Sequence, residues 1–216
     1  MYTPPTLYSG SAWANMTVGL LGGSFNPAHE GHIHVSRLAM KHLALDAVWW
    51  MVSPQNPLKP KKGMASLKSR MAQARNVTLQ RPRIVVTDIE TQLGTRYTAD
   101  TLKKLCDLFP RTRFVWIMGA DNLRQIHRWE RWEEIFETMP VCVLARPPHG
   151  SLLHACPAWE RFRSRRVRGY VDHKNLPSWK ILHTALNSQS ATAIRAKKAK
   201  VKSKKYGTRP QESYLS

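Results

Sequence analysis

Short apolar runs alternate with longer amphipathic stretches along most of this chain. Five runs read as buried strands: Thr17–Leu21, Ala47–Val52 (AVWWMV), Arg83–Thr87 (RIVVT), Arg113–Met118 (RFVWIM) and Val141–Ala145 (VCVLA). Trp179–His183 is expected as a last short strand. Between them, Gly31–Ala44 places Ile33, Val35, Leu38, Ala39 and Leu43 at helical spacing. Ser66–Leu79 predicts a basic helix, and Thr98–Phe109 a helix stopped by Pro110. Two short helical pieces carry Trp129 and Trp132, and Thr192–Lys200 is expected as a last helix. Ser53–Ala65 is a Pro/Lys-rich loop, residues 151–176 follow no clear period, and no segment repeats another. Strand–helix alternation with short apolar strands predicts an α/β fold: a doubly wound, mainly parallel sheet with helices on both faces.

A chain of 216 residues with 42% hydrophobic content is enough for one domain with a real core. The expected organisation is a flexible extension over 1–16, a single domain over 17–200 and a basic tail over 201–216. No apolar run approaches the length of a membrane span. The first residues, MYTPPTLYSGSAWANM, lack the layout of a signal peptide. Cys106, Cys142 and Cys156 are odd in number and far apart, which fits reduced thiols in a cytoplasmic protein. Net charge is +20, from 34 Lys+Arg against 14 Asp+Glu, a balance that attracts nucleotides, nucleic acid or acidic surfaces. Much of the excess lies in two runs, 159–168 and 195–205, which fit a solvated face or a loose tail equally well.

In doubly wound sheets, ligands sit beyond the C-terminal strand ends, where strand order reverses. The unusual residues cluster at those ends: Gly22–His32 after the first strand, Ser53–Lys62 after the second, Gly119–Asp121 after the fourth and Arg146 after the fifth. The first cluster, LLGGSFNPAHEGHI at 20–33, joins a strand, a glycine turn and a helix start. That arrangement aims backbone N–H groups and the positive end of a helix dipole at an anion. No Gly-Lys pair of a P-loop occurs, and the glycines do not fit G-x-G-x-x-G, so the phosphate site is of another kind. His29 and His32 stand three apart; on spacing alone they fit surface residues or two ligands of a zinc site as well as catalytic groups.

GGSFNPAHEGH at 22–32 resembles the H-x-G-H signature of the nucleotidyltransferase superfamily of adenylyl- and cytidylyltransferases. Further pieces, in order, resemble one branch, the bacterial nicotinate-mononucleotide adenylyltransferases: SPQNPLK at 53–59, GTRYTADTL at 94–102, MGADNL at 118–123, RPP at 146–148 and SATAIR at 190–195. The likeness runs from about Thr17 to Lys200. It implies a Rossmann-like fold and adenylyl transfer from ATP to nicotinate mononucleotide in NAD biosynthesis. By that resemblance His29, His32, Lys59 and Arg195 are catalytic. Gly23, Ser24, Phe25, Gly119, Asp121, Ser190 and Thr192 join His29, His32 and Arg195 in binding ATP. Ser24, Phe25, Asn56, Lys59, Tyr97, Thr98, Trp129 and Arg146 bind the pyridine nucleotide, with Trp129 stacked on its ring.

The resemblance also implies Mg²⁺ held mainly by ATP phosphates, since this ion keeps waters and needs no all-protein cage. No membrane or specific nucleic-acid partner is expected, and oligomeric state is open. Three positions depart from the pattern: Asn26 stands where Asp is usual, Ala191 replaces a serine and Gln189 an apolar residue. Adenylyl transfer to nicotinamide mononucleotide or phosphopantetheine is the neighbouring alternative. A basic nucleic-acid-binding protein is the alternative of another class.

Overall fold

A computed structural model describes residues 2–54, 63–145 and 153–183. Six strands form one sheet: β1 (Thr17–Gly23), β2 (Ala47–Val52), β3 (Ile84–Thr87), β4 (Arg113–Gly119), β5 (Val141–Ala145) and β6 (Trp179–His183). Their order is β3-β2-β1-β4-β5-β6, and every pairing is parallel. The chain therefore winds outward from β1 through β2 to β3, then returns to begin again at β4. The reversal falls between β1 and β4, and all six C-terminal ends open on one edge.

Helices cover both faces. On one lie α1 (Glu30–Leu43) and α2 (Leu67–Thr78), which bury Ile33, Ala39, Leu43, Met71 and Ala74 against Trp50, Val115 and Ile117. On the other lie α3 (Ile89–Leu93), α4 (Thr98–Leu108), α5 (Ala120–Gln125), α6 (Trp132–Thr138) and α7 (Pro157–Phe162). The Trp49-Trp50 pair of β2 shows how strand alternation builds both cores at once. Trp49 meets Phe109 and Phe114 edge-on, whereas Trp50 stacks on Phe25 from the opposite face.

All six strands lie where the apolar runs place them, and β2, β5 and β6 match residue for residue. β1 continues two residues further than expected, through Gly22 and Gly23. α3 is an unexpected element; five residues are too few to display a helical period. Trp129 follows a 3₁₀ turn (Ile126–Arg128) instead of sitting within a helix. Within the segment expected as an extension before β1, residues 10–13 take up local structure. A 3₁₀ turn at Gly10–Trp13 leaves Trp13 only 1% exposed, edge-on to Trp49 at 4.8 Å, because a full indole buries more apolar area than local chain freedom can offset. The helix expected at Thr192–Lys200 and the tail over 201–216 lie outside the described residues.

β1 is crowded where it nears the sheet edge. A Cβ on Gly22 would stand 2.5 Å from Cη2 of Trp116 on the neighbouring strand. An indole locked in the core cannot retreat, so Gly22→Ala should cost about 1–3 kcal/mol as overpacking. Denaturant unfolding of Gly22→Ala, Trp116→Leu and the double variant checks this: in the Trp116→Leu background, the Gly22→Ala cost should fall by at least half. Simple additivity would show that the two residues do not compete for this space.

Candidate active site

The turn leaving β1 bends sharply. Phe25 has φ +45°, a left-handed backbone that costs a non-glycine residue about 1–3 kcal/mol. Its ring repays the strain by burial, 2% exposed, stacked on Trp50 at 5.0 Å and leaning on His32 at 4.8 Å. A cis Asn26–Pro27 peptide then leads the chain to α1.

His29 is the N-cap of α1, and its Nδ1 accepts the Gly31 N–H at 3.1 Å. His32, one turn on, uses its Nδ1 to accept the His29 N–H at 3.2 Å. The two imidazoles form a reciprocal capping box in which ring nitrogens replace the usual oxygens. The pattern also assigns their tautomer. With each Nδ1 occupied as an acceptor, the proton of the neutral ring is on Nε2. Both rings thus keep a donor at Nε2, with ring centroids 3.9 Å apart. Trp50 supports this pair as well: its Nε1 donates to Ser36 Oγ, which donates to the His32 carbonyl.

Across the strand reversal, Gly119 and Asp121 sit where β4 passes into α5. Asp121 is in the first turn of α5, with Gly119 the N-cap, and its carboxylate folds back over Gly119: a Cβ there would lie 2.4 Å from Oδ1. A side chain at 119 would push this carboxylate out of its present position. Asp121 is exposed and open to a ligand.

A cavity of about 300 Å³ opens at the same edge. Of the residues expected at the site, Gly23, Ser24, Tyr97, Thr98 and Trp129 line it. Thr98 is the first residue of α4, with Tyr97 as N-cap making no side-chain cap hydrogen bond, so this helix starts at the cavity wall. Phe25, His29, His32, Gly119 and Asp121 are not part of that wall; they flank the strand ends beside it. Asn56, Lys59, Arg146, Ser190, Thr192 and Arg195 lie outside the described residues. Among the described residues, no three His, Cys, Asp or Glu side chains meet as a metal site.

Several further wall residues were not among those expected at the site, including Ser53, Glu90, Arg96 and Trp116. Glu90 was legible in principle. It lies just beyond the end of β3, as Asp121 lies just beyond the end of β4, and the strand-end rule covers it. Burial disfavours its charged form and pushes its pKa up to about 7, against an opposing hydrogen bond from the Ser53 hydroxyl.

A carboxyl whose pKa is raised on folding holds its proton in the folded state after the unfolded chain has released it. The folded state then binds more protons from about pH 4.5 to 7, and stability falls as pH rises through that window. Glu90→Gln removes the effect. Its stability relative to the parent should increase between pH 5 and pH 8 in denaturant titrations; a difference that stays constant with pH would show that Glu90 has an ordinary pKa.

Comparison with known proteins agrees with the geometry. The cytidylyltransferase-like family model matches residues 20–197. A protein from Cereibacter sphaeroides is 52% identical over 183 residues, covering 84% of this chain and 97% of its own. One from Roseobacter denitrificans is 48% identical over 190 residues, covering 86% and 94%. Both bear the name probable nicotinate-nucleotide adenylyltransferase. Among solved structures, the Plasmodium falciparum nicotinic acid mononucleotide adenylyltransferase complexed with NaAD superposes with TM-score 0.63 at 16% identity, over 84% of this chain and 83% of that one, a likeness of fold. With its strand reversal, histidine-capped helix and Gly-x-Asp turn in place, this chain belongs to the cytidylyltransferase-like family, and within it to the nicotinate-nucleotide adenylyltransferases.

Proposed function

We propose that this protein transfers the adenylyl group of ATP to nicotinate mononucleotide, releasing pyrophosphate and forming nicotinate adenine dinucleotide. The observation that carries the choice of acid substrate is the start of α4 at the cavity wall, where Thr98 lines the same cavity as Gly23 and Ser24. First-turn N–H groups of a helix favour an anion. A pyridine carboxylate satisfies them; a carboxamide brings no charge. Trp129, on the same wall, offers a flat partner to the ring, worth about 1–3 kcal/mol by analogy with base–aromatic stacking.

The nucleophile is the phosphate of the mononucleotide, with a second pKa near ~6 and therefore mostly dianionic at pH 7. Its oxygen forms a bond to the α-phosphorus of ATP as the bond to the bridging oxygen of the β-phosphate breaks. Pyrophosphate leaves with that electron pair. No proton has to be removed, so the protein's work is alignment and charge stabilisation. His32 donates from Nε2 to the reacting α-phosphate, and His29 holds the phosphates beside it. Gly23, Ser24 and Phe25 bring backbone close to both substrates, and Asp121 accepts from the ATP ribose hydroxyls across Gly119. Lys59, Ser190, Thr192 and Arg195 are proposed for the triphosphate, and Asn56 and Arg146 for the pyridine side, on their motif positions alone. Mg²⁺ suits oxygen ligands from ATP and water and, held there, offsets phosphate charge. Unpaired Cys106, Cys142 and Cys156 are consistent with a reducing compartment, the cytoplasm.

Pyrophosphate release should be fast with ATP, Mg²⁺ and nicotinate mononucleotide and much slower with the nicotinamide analogue. Equal rates would overturn the substrate assignment, and release with neither would overturn the reaction. His32→Ala should lower kcat by on the order of 10²-fold, the scale of one lost transition-state donor. Activity within a few-fold of the parent would remove His32 from the chemistry.

A further inference from the structure

α2 carries a cation that is not at the surface. Arg70 is 1% exposed, and no carboxylate pairs with it among the described residues. Its partners are carbonyl oxygens from three separate pieces of chain. Nη1 donates to Ser24 at 2.7 Å and to Ser53 at 2.7 Å, Nη2 to Pro54 at 3.0 Å, and Nε to Ala65 at 3.0 Å. One planar group thus joins the turn after β1, the exit from β2 and the approach to α2.

Ser24 and Ser53 are neighbouring walls of the cavity. The backbone ties them once directly, through the Ser53 N–H to the Gly23 carbonyl at 2.9 Å. Asn26 braces the same turn from its other end. Its Nδ2 donates to the Gly63 carbonyl at 3.1 Å, and its Oδ1 accepts the Ala65 N–H at 3.4 Å. The Ala65 residue is therefore gripped by Asn26 at its N–H and by Arg70 at its carbonyl.

We propose that Arg70 is a positioning residue of the adenylyl-transfer site, fixing the spacing between Ser24 and Ser53 and through it the seat of the pyridine nucleotide. The inference rests on the function proposed above for its kinetic arm alone. A guanidinium is the one side chain that reaches three strands of backbone in one plane, because its donors form a rigid fork. A lysine ammonium has the charge but a compact, tetrahedral donor set, and it leaves at least one of these carbonyls without its partner. ATP contacts proposed on the β4 side, at Gly119 and Asp121, do not depend on the clamp.

Arg70→Lys separates positioning from mere stability. Hydrogen–deuterium exchange, which needs no substrate, should rise about tenfold at the amides of 22–26 and 51–53, the factor expected for one lost charge-assisted hydrogen bond, while β4 stays protected. KM for nicotinate mononucleotide should rise by at least about the same factor, and KM for ATP, which shares the Ser24 contact but keeps those proposed at Gly119 and Asp121, by clearly less. Arg70→Gln, neutral but planar, should give the same ordering if the lysine variant does not fold. Unchanged exchange overturns the clamp. Loosened exchange with both KM values unchanged, or raised equally, overturns its role in the site. An inactive parent enzyme would instead overturn the proposed reaction and leave the exchange arm to decide the clamp.

Discussion

Everything at this site depends on β1 being hydrogen-bonded on both sides, to β2 and to β4. Two parallel neighbours force three strand ends onto one edge, and the reversal of winding keeps helices from closing the gap above them. Gly22 and Gly23 then let the chain turn within the space that Trp116 and Phe25 leave. Without that central strand, the histidines of α1 and the Gly119-Asp121 turn of β4 would belong to unrelated parts of the surface.

The same nitrogen atoms serve folding and chemistry. Nδ1 of His29 and of His32 completes the first turn of α1, and this occupation leaves Nε2 as the donor of each ring. A serine or aspartate cap would satisfy the helix equally well but would provide no second nitrogen. Phe25 and Trp50 extend the arrangement into the core, so the orientation of His32 is set by packed aromatic rings and by the Ser36 bridge as well as by its cap.

The strands were legible because buried parallel strands are continuous apolar runs, and the site was legible where it follows such a run. Gly23, Ser24, Tyr97, Thr98 and Trp129, far apart in the chain, line one cavity. Two kinds of residue escaped. Glu90 lies beyond a strand that was legible, within a helix of five residues too short for its period to stand out. Arg70 sits in a segment that reads only as a basic helix, and nothing in the order of residues distinguishes a cation surrounded by carbonyls from one surrounded by water. Trp13 escaped for a related reason: a lone indole before the first strand has no period, and only the hollow beside Trp49 gives it a place.

Ser53 is the point where two unlike charges meet. Its carbonyl receives the Arg70 guanidinium, and its hydroxyl donates to the Glu90 carboxyl. Burial lowers the pKa of Arg70, yet a guanidinium keeps its proton at any working pH, with backbone carbonyls acting as its solvation shell. Glu90 gains or loses its proton near neutrality. Ser53 therefore joins one permanent charge and one that the medium sets. Protein shields both from counter-ions, so salt attenuates their field far less than that of the surface lysines and arginines. In acid the pair on Ser53 is a cation beside a neutral acid; in alkali it becomes a dipole anchored on a single serine.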